Sequence, residues 1–277
     1  MKKIFTLLTV LVSVASILWT GSLRSLAEEF EGQTVKIGVA SDIEAEVWQV
    51  VADKAKKEGI TLDITLFTDY VQPNEALANG SLYLNAFQHI AYLNEWNEAN
   101  EGSLVPLGFT YVTSLGLYSE KVEDIKDIPK GATIAIPNDP TNGGRALLAL
   151  QQAKFIKVDE AAGILPTTED ITDNPLELSF EEIDAAQLAS VLPDVDAAFI
   201  NNNFALDAGL SIDDAIFRDG EDLSALKDDY KNVVAVDKKR QKDPLLKHIV
   251  DLYQSKEVEE KLAELSDGGD IPAWEKK

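Results

Sequence analysis

The chain has 277 residues, 25 of them basic and 48 acidic, and carries a formal charge of −23 at neutral pH. Such an excess repels phosphate backbones and anionic lipid, so nucleic acid and a membrane surface are excluded as partners. There is no cysteine, which removes thiol nucleophiles, thiolate metal sites, disulfides and lipid attachment on cysteine.

Taken in chain order, the first element is a basic start at Lys2 and Lys3, an apolar run over residues 4–19 and small residues ending in Ser25-Leu26-Ala27. This is the layout of a secretory signal, and it predicts export with cleavage after Ala27. The run is too short and too rich in Ser and Thr for a membrane span; retention as an uncleaved anchor is the alternative. Losing Lys2, Lys3 and Arg24 leaves 22 basic residues against 48 acids, a mature charge of −26. That field disfavours an anionic ligand at long range and favours a neutral or zwitterionic one.

Beyond residue 28, short apolar runs alternate with amphipathic stretches, the pattern of an α/β protein. Residues 34–40 read as a strand. Val47, Val50, Val51 and Ala55 recur at helical spacing, and Gly59 closes that helix. Strands follow at 60–67 and 82–87, with a short helix at 74–78 between them, a βαβ beginning that implies a parallel sheet. A second set comprises strands at 132–137, 176–183 and 195–200 and a helix at 142–153. A strand at 232–236 and helices at 244–254 and 258–265 close the chain. No Pro/Ser-rich linker divides the two sets, so the chain is expected to cross between two lobes more than once, at 111–118 and 232–237.

Ligands of open α/β sheets sit beyond the carboxyl ends of the strands. The most informative such place is IAIPNDPTNGGRALLAL (134–150), a strand, a polar turn and a helix with Arg145 in its first turn. A helix N-terminus with a guanidinium beside it receives carboxylates, and Gly143 and Gly144 let an anion approach the backbone. The plainer alternative is a capped helix whose arginine pairs with a surface acid. Asn201-Asn202-Asn203 follows the strand at 195–200. Its amides suit both halves of an amino-acid zwitterion, or merely cap the next helix. A lone histidine is ordinarily a hydrogen-bonded structural residue, and His248 is read as one; His89 is read either so or, with Tyr70 and Phe87, as the wall of an aromatic slot that suits a thioether. Neither His89 nor His248 has a metal-ligand spacing, and no metal is expected. GxSxG, HExxH and GxxxxGK[ST] are all absent, and the acid pairs Glu181-Glu182, Asp213-Asp214 and Asp228-Asp229 read as solvated faces.

Five segments together resemble the methionine-binding lipoprotein family (NlpA type), the substrate-binding component of methionine ABC importers. They are DYVQPNEALANG (69–80), NAFQH (85–89), GLYS (116–119), IPNDPTNGGRALLAL (136–150) and VDAAFINNNFALDAGL (195–210). The resemblance implies an α/β, two-lobed periplasmic-binding-protein fold (type II, Venus-flytrap) with a ligand cleft between the lobes. One lobe is formed by 28–114 plus 230–277 and the other by 115–229. It also implies a non-enzymatic carrier without cofactor outside the cytoplasm (periplasmic, cell-surface or secreted) with a membrane permease as partner, and nothing in the sequence argues against a monomer. By the same resemblance Arg145 grips the α-carboxylate with Asn202 and Asn142, and Tyr70, Phe87 and His89 enclose the thioether. Glu46 is placed at the ammonium group. The chain departs from the family in the missing lipobox cysteine, in the early loop ASDIEAE, and at Ile90-Ala91 and Thr113-Ser114 near the cleft edge. Three rivals follow: another apolar amino acid or a short methionine peptide as ligand, a secreted receptor, and a small-metabolite hydrolase or transferase on the same fold.

Overall fold

A computed structural model describes residues 30–220 and 226–275; the signal segment expected at 1–27 lies outside the described residues. The chain opens with β1 (Thr34–Val39), α1 (Asp42–Lys57), β2 (Thr61–Leu66), α2 (Gln72–Ala78), β3 (Leu84–His89), α3 (Ile90–Asn100) and β4 (Leu104–Phe109). After β5 (Tyr111–Thr113) come β6 (Leu115–Tyr118), β7 (Thr133–Pro137), α4 (Pro140–Gln152), the small ribbon of β8 (Lys157–Val158) and β9 (Ile171–Asp173), and β10 (Ser179–Ile183). The remainder is α5 (Leu188–Val191), β11 (Ala197–Asn201), α6 (Asn202–Asp207), β12 (Phe217–Arg218), β13 (Asn232–Asp237), α7 (Pro244–Tyr253), α8 (Lys256–Leu265) and β14 (Asp270–Pro272).

These strands form two five-stranded sheets, ordered β2-β1-β3-β13-β4 and β10-β7-β11-β6-β12. In the first, β1 pairs in parallel with β2 and β3, while β13 runs antiparallel to β3 and β4. In the second, β7 is parallel to both β10 and β11, and β6 runs antiparallel to β11. Each sheet has its own core. Trp48, Val51 and Ala55 of α1 pack on Val35, Ile37 and Val39, and Trp48 meets Tyr253 of α7 at 4.7 Å between ring centres. Leu147 and Leu150 of α4 pack on Ile134, Ile136 and Phe199.

The segment 111–118 does carry the chain from one sheet to the other. The segment 232–237 does not: β13 lies inside the first sheet, so the return crossing falls between β12 and β13. NVVAV is an apolar run because a strand flanked by β3 and β4 is buried there; all of Asn232–Val236 is buried. Helix α3 and strand β4 had no clear sequence signal. The first mixes polar and apolar residues with little amphipathic segregation (IAYLNEWNEAN), and the second contains Pro106, which the sheet accepts because β4 is an edge strand. The last strand, β14, pairs with β5 at the place where the chain leaves the first sheet.

Candidate functional site

Helix α4 begins two residues before its expected start, so Arg145 sits in the second turn rather than the first. The helix supplies its own anion: the Asp139 carboxylate accepts from the N–H groups of Thr141 at 3.2 Å and Asn142 at 2.9 Å. The two glycines serve packing instead of anion approach. A Cβ on Gly143 would stand 2.6 Å from the Pro137 carbonyl oxygen, and one on Gly144 would stand 3.1 Å from Ile164 O. Arg145 itself is buried and ion-paired. Its Nε and Nη2 reach the two Asp219 oxygens at 2.5 and 3.0 Å, Nη2 also donates to Thr113 O at 2.9 Å, and its guanidinium lies 4.6 Å from the Tyr230 ring centre. Three of the five N–H donors of an arginine are thereby used. The two on Nη1 make no hydrogen bond among the described residues. Arginine does pair with an acid, as the plainer alternative held, but the pair is inside the protein and not on its surface.

Arg145 lines a cleft with a cavity of about 30 Å³, with Asn142 and Asn202 on its own side and Tyr70, Phe87 and His89 opposite. The aromatic slot is real geometry. Tyr70 lies 5.5 Å from Phe87 and 4.7 Å from Phe204, and Tyr92 meets Tyr70 and Phe87 edge-on, each at 5.9 Å. Tyr92, a helix turn beyond His89, was missed by sequence reading although its spacing from His89 on a helix was available. His89 caps α3, its Nδ1 accepting from Tyr92 N at 3.1 Å, while Nε2 faces Asn142 Oδ1 at 3.2 Å. An amide oxygen only accepts, so the proton is on Nε2. Burial and the Arg145 cation push the imidazole pKa down to about 4, which keeps it neutral. Asn85 and Gln88 of the same NAFQH segment serve the fold: both bond to Asn74 of α2, at 2.8 and 2.6 Å.

The three asparagines are not a helix cap, for no side chain caps α6. Asn201 donates to Asn142 Oδ1 at 2.9 Å, Asn202 donates to Asp270 at 2.8 Å, and Asn203 accepts from the Tyr70 hydroxyl at 2.6 Å. One atom of each is left over. Asn201 Oδ1, Asn202 Oδ1 and Asn203 Nδ2 are buried and have no partner among the described residues. Such atoms are costly unless something bonds them, and all three residues line the cleft. Asn232, at the start of β13, lines it too and gave no signal beyond its place at a strand end.

Glu46 is not brought to the cleft. It is exposed on α1 and pairs with Lys261 of α8 at 3.5 Å, because the helix repeat turns it away from the face that buries Val47 and Val51. Glu44, two residues earlier, is the buried acid. It accepts from Ala40 N and from the Tyr111 hydroxyl, both at 2.8 Å, and burial pushes its carboxyl up to about 8. Asp270 is buried beside it, pushed up to about 6 by the same desolvation. His248, read as structural, bonds Glu58 at the far end of α1. No group of three or more acidic or histidine side chains placed to hold a metal occurs among the described residues.

Comparison with known proteins adds a third line. The family model described as NlpA lipoprotein matches residues 35–274. Lipoprotein 28 of Escherichia coli O157:H7 is 37% identical over 265 residues, covering 94% of each chain. The D-methionine-binding lipoprotein MetQ of Salmonella typhimurium is 36% identical over 251 residues, 89% of this chain and 91% of that one. A nutrient-binding protein from Burkholderia cenocepacia, solved bound to methionine, superposes with a TM-score of 0.82 at 43% identity, covering 87% of this chain and all (100%) of that one.

Proposed function

The chain belongs to the NlpA lipoprotein family, and from that premise we propose that it captures methionine outside the cytoplasm and delivers it to the permease of an ABC importer. The role is binding, not catalysis. The observation that carries the reading is a cleft between two sheets that brings together an arginine, three unpartnered buried amide atoms and four aromatic rings. That is the complement of a zwitterion with a thioether tail.

In this reading Nη1 of Arg145 receives the α-carboxylate, with the pair to Asp219 holding the guanidinium in place. Tyr70, Phe87, Tyr92 and His89 surround the thioether. Both walls of the cleft come from one chain, so a monomer suffices. Closure follows from the cross-cleft bonds: ligand touching both sides favours the shut arrangement. Among the described residues no helix is long and apolar enough to cross a membrane.

Isothermal calorimetry against L-methionine, D-methionine, leucine and methionyl dipeptides tests the proposal. Saturable binding of methionine with at least a hundredfold preference over leucine is expected. Equal or tighter binding of leucine or of a dipeptide would replace methionine as the ligand, and heat from none of them would reject the carrier reading.

A further inference from the structure

Asn202 can face the cleft with either its oxygen or its nitrogen, and the fold decides which. Its Nδ2 donates to Asp270 Oδ1 at 2.8 Å, and an ionised carboxylate only accepts, so Oδ1 is the atom left over. That oxygen is buried and has no partner among the described residues. Asp270 is itself held: its N–H donates to Ser266 Oγ at 2.9 Å, and it pairs with Thr113 in the ribbon of β14 and β5. The carbonyl of that same Thr113 accepts from Arg145. One two-stranded ribbon therefore braces the cationic end of the cleft through Thr113 and the acceptor end through Asp270.

We propose that Asp270 is a positioning residue for the ammonium group of an α-amino-acid ligand, acting by fixing the Asn202 amide with its oxygen toward the ligand. This rests on the methionine reading above. It takes over the part that the exposed Glu46 cannot play.

The test compares L-methionine with 4-(methylthio)butanoic acid, which keeps the tail and the carboxylate but lacks the amine. Calorimetry is run on the full chain, on Asp270→Asn and on Asn202→Ala, and on the two combined. The wild-type chain is expected to prefer methionine by a hundredfold or more. Asp270→Asn should weaken methionine at least tenfold and leave the deaminated acid within twofold, with the melting temperature unchanged or higher because a buried charge is gone. In the Asn202→Ala background, Asp270→Asn should change methionine binding by less than twofold. Equal loss for both ligands, an unchanged preference, or a further tenfold loss in the Asn202→Ala background would overturn the role of Asp270 alone. A wild-type chain that fails to bind methionine would overturn the methionine reading and this proposal with it.

Discussion

Arg145 shows how one residue's surroundings alter what a substitution reports. Removing it leaves Asp219 buried without a counter-charge, so Arg145→Ala should lower stability by about 3–5 kcal/mol as well as weaken methionine binding by about 2–5 kcal/mol. Combining it with Asp219→Asn should restore most of the stability, read by urea unfolding, and none of the affinity, read by calorimetry. Glu44 makes a pH prediction. Its folded-state pKa of about 8 exceeds the ordinary 4.5, so between these values the folded chain holds the proton more tightly than the unfolded one. Stability therefore falls as pH rises through this window, by about 2 kcal/mol between pH 6 and 8 from this group. His89 works in the opposite sense, but its folded pKa of about 4 confines its effect to the window between that value and the ordinary 6.5. Glu44→Gln should flatten the decline between pH 6.5 and 8 in unfolding curves taken at a series of pH values; an unchanged slope would refute the assignment.

At the scale of elements, the start of α4 is a tightly constrained junction. The helix is packed so closely on the end of β7 that Gly143→Ala would set a methyl 2.6 Å from Pro137 O. About 1–3 kcal/mol of destabilisation is expected in thermal or urea unfolding. The helix and its arginine are legible in the sequence, whereas the glycines and the helix N-terminus serve packing and Asp139 in place of the expected ligand. Strand, turn and helix are local properties and were legible. That Asp139 would occupy the helix end, and that the glycines would face Pro137 and Ile164, depends on how α4 lies on the sheet. Likewise NAFQH was legible as one polar motif. Only packing sends Phe87, Gln88 and His89 to the cleft and ties the amides of Asn85 and Gln88 to Asn74.

For the whole molecule, closure is the functional variable of the proposed role. Besides the bonds inside the cleft, the Asp207 carboxylate at the end of α6 accepts from the N–H groups of Asp42 at 3.2 Å and Ile43 at 3.5 Å, at the start of α1. Negative charge at a helix N-terminus contributes about 0.3–1 kcal/mol. Asp207→Ala should therefore weaken methionine binding by about two- to fivefold, mostly through faster dissociation in stopped-flow measurements, without touching a ligand contact. An unchanged dissociation rate would mean that this contact plays no part in holding the lobes shut.

What the sequence determined by itself was everything carried by local pattern: the α/β class, most strands and helices of both sheets, and the motifs that pointed to the family and to six of the seven expected cleft residues. Hydrophobic period and strand-end polarity are short-range signals, and they survive without coordinates. What only the tertiary structure decided was pairing across long separations. Asp219 meets Arg145 over 74 positions and Asp270 meets Asn202 over 68. These pairings depend on where two sheets and a returning terminal strand meet. No local spacing encodes that meeting, because it is fixed by the burial of surfaces far apart in the chain.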